Sequence, residues 1–158
     1  MAKVMKFKQT GFTIVELLIV VVVIGILAAI TIVAYNGIKK RAVVSQTTSE
    51  LSVLNKAIVA YRAVYGIYPE TPGGNWLGIN GEDNYIPGLM PEFISNLPQN
   101  PTSVVDAAYA YRSNGTDYKL ISHIDNLCGE VRKIQPNLVD PARNCWAYGY
   151  WTSGYQSL

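Results

Sequence analysis

The sequence predicts an α+β fold: a long protruding N-terminal hydrophobic helix, packed by its C-terminal half on a small antiparallel sheet. Three observations predict it. From Phe12 to Tyr35 the chain is apolar, with one acid and no base. From Val44 to Tyr65 large apolar residues recur at helical spacing between polar ones. Beyond Gly66 the chain turns rich in Gly, Pro, Asn and Tyr, with short alternating runs. A length of 158 residues holds one domain plus an appendage, not two full domains.

Residues 1–11 form a short basic leader. Lys3, Lys6 and Lys8 lie in it with no acid, and it ends in Thr10-Gly11. The run FTIVELLIVVVVIGILAAITIVAY follows, 24 residues from Phe12 to Tyr35. As a helix it is about 36 Å long, enough to cross a hydrocarbon core of about 30 Å. So many β-branched residues would suit a buried strand, but the run is far too long for one, and length decides for a transmembrane helix. An ordinary secretory signal has a shorter apolar core that ends at small residues; here the apolar stretch continues past Ala28-Ala29.

Residues 36–65 form the amphipathic half of the same helix. Val44, Leu51, Leu54, Ile58, Tyr61 and Tyr65 recur at spacings of 7, 3, 4, 3 and 4, which makes one apolar stripe. Gly66 is placed to cap the C-terminus and Pro69 to prevent continuation. The helix predicted from Phe12 to Tyr65 is roughly 80 Å long. Residues 66–158 must cover its apolar stripe. A short helix is expected around Pro91–Asn96. Ala108–Arg112 and Tyr118–His123 read as strands joined by a hairpin at Asn114-Gly115. Cys145–Thr152 reads as a third strand, and Glu130–Ile134 as a possible extra one.

Composition excludes several functions. The net charge of +2 is too small for nucleic-acid binding. Removing residues 1–11 leaves ten basic against eleven acidic side chains. Cys128, Cys145 and the single His123 do not make a zinc site; in an exported domain the cysteine pair reads as one disulfide closing a C-terminal loop. There is no P-loop and no GxSxG. His123 lacks a nucleophile motif, and Asp106, Asp117 and Asp125 are not paired for acid–base work, so no catalytic residue is expected. Glu82, Asp83, Asp125, Glu130 and Asp140 lie in loop-rich sequence without EF-hand spacing; calcium stays conceivable there, and no metal or other cofactor is expected. Tyr109, Tyr111, Tyr118, Trp146, Tyr148, Tyr150 and Trp151 read as strand packing rather than a stacking surface for bases or sugars.

Glu16 is the anomaly. It is the only charged side chain between Lys8 and Lys39. A charge at the bilayer centre costs about 2.5–3.5 kcal/mol on insertion scales, less near the end of the span, so Glu16 calls for a cationic partner. A freed α-amino group at Phe12, from the same chain or a neighbour, would supply one. Charge alone does not orient the span, because Lys39, Lys40 and Arg41 balance the leader lysines. That triplet is either solvated or an assembly contact.

Gly11 followed by FTIVELLIVVVVIGILAAI resembles the prepilin signal of type IV pilins and type II secretion pseudopilins, over about residues 6–42. The resemblance implies cleavage between Gly11 and Phe12 by a prepilin peptidase on the cytoplasmic side, followed by N-methylation of Phe12 by the same enzyme. It implies that Glu16 pairs with a neighbour's N-terminal amine during assembly. Gly25 also matches the pattern. Val33 departs from it, since many members have a proline there. The run Ala60–Pro69 resembles the end of the long helix in such proteins, and Cys128–Cys145 their C-terminal disulfide loop. The expected fold is therefore a pilin-like lollipop. The expected function is a structural filament subunit, stored as a single-span protein of the cytoplasmic membrane and then polymerised into an extracellular pilus or an envelope pseudopilus. Its partners would be the peptidase, identical or homologous subunits, the membrane, and indirectly an assembly platform and ATPase. Two rivals stay open: a pseudopilin of a secretion machine, and a membrane-anchored domain that never polymerises.

Overall fold

The computed structural model describes residues 11–79, 81–99, 108–123, 127–143 and 145–158. The leader lysines, Asp106 and Asp125 lie outside these residues. A continuous helix, α1, runs Ile14–Tyr65. Its residues divide between two compact units, with the boundary between Ile38 and Lys39.

In the first unit α1 has no buried residue. Its large apolar side chains are exposed, from 48% at Val23 to 87% at Ile14. The helix passes Gly25, Val33 and Gly37 without interruption. Thr31, one of the few polar groups, donates its hydroxyl to the Leu27 carbonyl at 2.7 Å, which satisfies that donor within the helix.

In the second unit α1 buries Val44, Thr47, Thr48, Leu51, Leu54, Ala57 and Ile58. These positions share one face at spacings of three and four. The two threonines tolerate burial because each hydroxyl donates to a carbonyl one turn back, Val43 at 2.9 Å and Val44 at 2.8 Å. The expected stripe fades at its C-terminal end. Tyr65 is half exposed, and it meets Tyr61 and Phe93 ring to ring instead of entering the core. Gly66 ends the helix at φ +80, with its N–H on the Arg62 carbonyl at 2.8 Å.

The sheet has three antiparallel strands in the order β1 (Ala108–Ser113), β2 (Tyr118–His123), β3 (Ala147–Trp151). The β1–β2 turn forms where Asn114 and Gly115 predict it. Gly115 adopts φ +83, and the Asn114 side-chain oxygen accepts the N–H groups of Thr116 and Asp117. Strand alternation gives the sheet two faces. Tyr109, Tyr111, Tyr118, Leu120 and Tyr148 join the α1 residues in the main core. Ala110, Ile121 and Ala147 form a separate small cluster with Trp76 packed on it.

Three expectations are corrected. Glu130–Ile134 is not a strand: it belongs to a helix, α2, over Cys128–Ile134. The short run alternates, but Cys128 and Val131 are the buried pair, three residues apart, and Lys133 bonds Glu130 across the same spacing at 2.9 Å. Around Pro91–Asn96 the chain makes turns rather than a helix, with one helical bond from the Phe93 N–H to the Leu89 carbonyl. Pro91 cannot donate, and Phe93 and Ile94 are held by packing on the core. The third strand starts at Ala147, not Cys145, because Cys145 sits at φ 86, outside strand geometry.

Candidate assembly and processing site

Gly11, Phe12 and Thr13 precede the first helical residue, Ile14. Thr13 therefore stands at the N-cap and Glu16 at the third helical position. The Thr13 N–H and hydroxyl both donate to Glu16 Oε2, at 2.8 and 2.7 Å. The Glu16 N–H donates back to Thr13 Oγ1 at 3.2 Å. This is a reciprocal capping box, which satisfies two otherwise orphaned N–H groups. Treating Glu16 only as an isolated acid misses this role, although the signal is present in the sequence as Thr-x-x-Glu. The carboxylate thus has local donors without any cation.

Gly11 and Phe12 are outside the helix and exposed, Phe12 by 86%. Their peptide bond lies ahead of the helix. Glu16 lies one turn on from Phe12, at the start of a helix that is long and apolar enough to cross a membrane.

The basic triplet at 39–41 is exposed, and one of its members has a partner in the head. Arg41 Nε lies 3.7 Å from Glu130 Oε2 on α2. The Glu130 carboxyl is held below the usual range, first by its hydrogen bond from Lys133 and then by the charges of Lys133, Arg41 and Lys40. Arg41 is 73% exposed, so the contact is a weak one.

Cys128 and Cys145 form a disulfide across 17 residues that ties the start of α2 to the segment entering β3. Of the acids that could have held calcium, Glu82, Glu130 and Asp140 have local partners. Glu82 accepts the Gly78 N–H at 2.7 Å. Asp140 is fully buried against Lys119, at 2.9 Å, and also meets Arg143, at 3.1 Å. Among the described residues no three His, Cys, Asp or Glu side chains gather as a metal site would require. Lys119 is equally buried, and burial pushes its ammonium below the usual range even though Asp140 opposes the shift. Nothing in the sequence marks Lys119 as a core residue.

Comparison with known proteins agrees with this arrangement. Residues 6–32 match the prokaryotic N-terminal methylation motif. The chain is 31% identical to the type II secretion system core protein G of Aeromonas hydrophila over 104 residues, 61% of this chain and 69% of that protein. It is 27% identical to the Klebsiella pneumoniae core protein G over 153 residues, 93% of this chain and 97% of that protein. It is 40% identical to the type IV major pilin protein PilE1 of Neisseria gonorrhoeae over 67 residues, 42% of this chain and 31% of that protein. No solved structure matches it significantly. The chain belongs to the family of pilin-like subunits that includes the type II secretion core protein G and type IV pilins.

Proposed function

We propose that the chain is a structural, non-catalytic subunit of a type IV pilus-like filament. The observation that carries this reading is the start of α1. A single carboxylate, Glu16, sits beside an accessible Gly11–Phe12 bond, on a helix whose apolar side chains to Ile38 are uncovered. Such a surface needs an apolar environment on every side. A bilayer supplies it to the stored subunit, and neighbouring helices supply it in a filament. Cleavage at Gly11 and methylation of Phe12 create an amine one turn from a carboxylate. In a heterologous, non-closing polymer that amine pairs with Glu16 of an adjacent subunit and sets the register. The leader is cytoplasmic, and the head is exported with its disulfide. A separate ATPase drives assembly, and the subunit itself needs no cofactor.

A second reading, a pseudopilus subunit in the envelope, has a specific observation in its favour. The similarity to core protein G reaches 93% of the chain, whereas that to PilE1 covers 42%. Intact-mass and N-terminal analysis of the protein from its own host tests what the two readings share. A chain beginning at methylated Phe12 is expected. A chain retaining Met1–Gly11, or cut near Ala29, would overturn both. Electron microscopy of material sheared from the same cells separates them: surface filaments containing the chain support the pilus, and loss of protein secretion without surface filaments supports the pseudopilus.

A further inference from the structure

Three cations from two distant parts of the chain surround one carboxylate. Arg41 Nε on α1 lies 3.7 Å from the Glu130 carboxylate, and Lys133 Nζ on α2 lies 2.9 Å from it. The charge of Lys40 acts on the same carboxyl. Lys39, the residue before Lys40, is exposed beside them. We propose that this patch binds the anionic headgroups of phospholipids and so seats the head of the stored subunit on the membrane surface. The proposal rests on storage of the chain as a single-span protein, and it adds α2 to the part of the chain that meets lipid.

The charges in the patch do not balance. One carboxylate faces three cations, which leaves two positive charges over before Lys39 is counted. Among the described residues neither Lys39 nor Lys40 has an ion-pair partner. Arg41 and Lys133 are largely exposed, so pairing with Glu130 leaves most of each charged head in water and open to a second anion. Arg132, the remaining base of α2, donates to Cys145 Sγ at 3.0 Å and takes no part. Like charges held this close repel one another, and an anion laid across them relieves the repulsion.

Position selects a lipid headgroup over a soluble anion. α1 is unbroken from Ile14 to Tyr65, so Lys39 directly follows the uncovered apolar stretch. A helix from Phe12 to Ile38 rises about 40 Å, more than the hydrocarbon core of about 30 Å and close to the full bilayer with its headgroups. The triplet therefore emerges at the level of the lipid phosphates. Tyr35, one turn earlier and exposed, is the kind of ring that the interface favours. Ile134 follows Lys133 on α2 and is half-exposed. It puts an apolar group beside the charge, a pairing that suits a lipid surface and that a free anion does not use. Basic residues concentrate on the cytoplasmic side of a span, so a basic triplet on the exported side is not accounted for by insertion.

The test is lysine labelling with an uncharged acylating reagent, read by mass spectrometry. It uses the full-length chain in phosphatidylcholine vesicles and in vesicles that also contain phosphatidylglycerol. Lys40 and Lys133 are expected to be labelled about fivefold more slowly in the anionic vesicles. Lys56, exposed farther along α1, is expected to be labelled at one rate in both. Equal labelling of Lys133 in the two vesicles overturns the proposal, as does slowing of Lys56 by the same factor. Protection by glycerol phosphate added to phosphatidylcholine vesicles also overturns it, because the patch would then be a site for a soluble anion. Carbonate extraction of the same vesicles reports insertion separately. A chain that carbonate removes overturns the span and this proposal together. A chain that resists carbonate and shows no protection overturns this proposal alone.

Discussion

Glu16 does two things that a single substitution can separate. Its carboxylate closes the capping box with Thr13 and supplies the charge proposed for subunit register. Glutamine can also close a capping box, so Glu16→Gln keeps the cap and removes the charge. That variant is expected to insert into membrane normally and to be poorly incorporated into filaments. Filament yield equal to wild type would remove the register role. Thr13→Ala does the converse, keeping the charge and costing the helix start about 1 kcal/mol. The buried tyrosines give a second expectation. Burial pushes the hydroxyls of Tyr85, Tyr109, Tyr111 and Tyr118 far above their ordinary range, and the nearby Glu50 carboxylate adds to this for Tyr85 and Tyr109. In the unfolded chain they ionise near pH 10. Their contribution is therefore fully present below about pH 10 and is lost as pH rises beyond it, because the unfolded state releases protons that the folded state holds. Ultraviolet titration should show these tyrosines ionising only together with loss of the head's circular dichroism. Independent ionisation near pH 10 with the fold intact would show that they are solvated.

At the scale of the element, α1 shows two solvent regimes in one helix. Before Ile38 the apolar side chains are uncovered all round; after Lys39 one face is sealed by the sheet. Leu54 and Val53 are neighbours in sequence on opposite sides of that divide, fully buried and half exposed respectively. Leu54→Ala should destabilise the head by about 2–5 kcal/mol. Val53→Ala should stay within about 0.5 kcal/mol, as surface substitutions usually do. Denaturant unfolding of the two variants measures the difference, and equal losses would contradict the packing. The link between α2 and the entry to β3 is also separable. Replacing both Cys128 and Cys145 by serine should lower stability by about 3 kcal/mol through the greater freedom of the unfolded chain. Unchanged unfolding midpoints would show that packing alone holds the segment.

At the scale of the whole molecule, Glu82, Glu130 and Asp140 each have a local partner among the described residues. Chelation with EDTA should therefore leave the thermal unfolding midpoint unchanged, and a drop restored by calcium would reveal a site that the described residues do not form. Much of this arrangement was legible in advance. The length and composition of Phe12–Tyr35, the spacing of Leu51, Leu54 and Ile58, and the Asn114-Gly115 turn each carry a local rule, and the elements appear where those rules put them. The Gly11–Phe12–Glu16 spacing is equally visible in the sequence, whereas its capping geometry depends on Thr13 standing at the helix start.

The sequence by itself determined the long helix, its change from uniformly apolar to one-sided, the β1–β2 hairpin and the family of the leader junction, because each depends on neighbours in the chain. Tertiary structure alone decided the rest. Glu130–Ile134 became a helix because Cys128 and Val131 bury together, a choice that five alternating residues cannot express. Lys119 entered the interior because Asp140, 21 residues later, meets it there. A cavity beside Trp146 exists because Trp76, small strand residues and the Cys145 bend converge from distant parts of the chain. Local periodicity records how a segment is solvated on average; which particular groups meet is fixed only when the chain closes on itself.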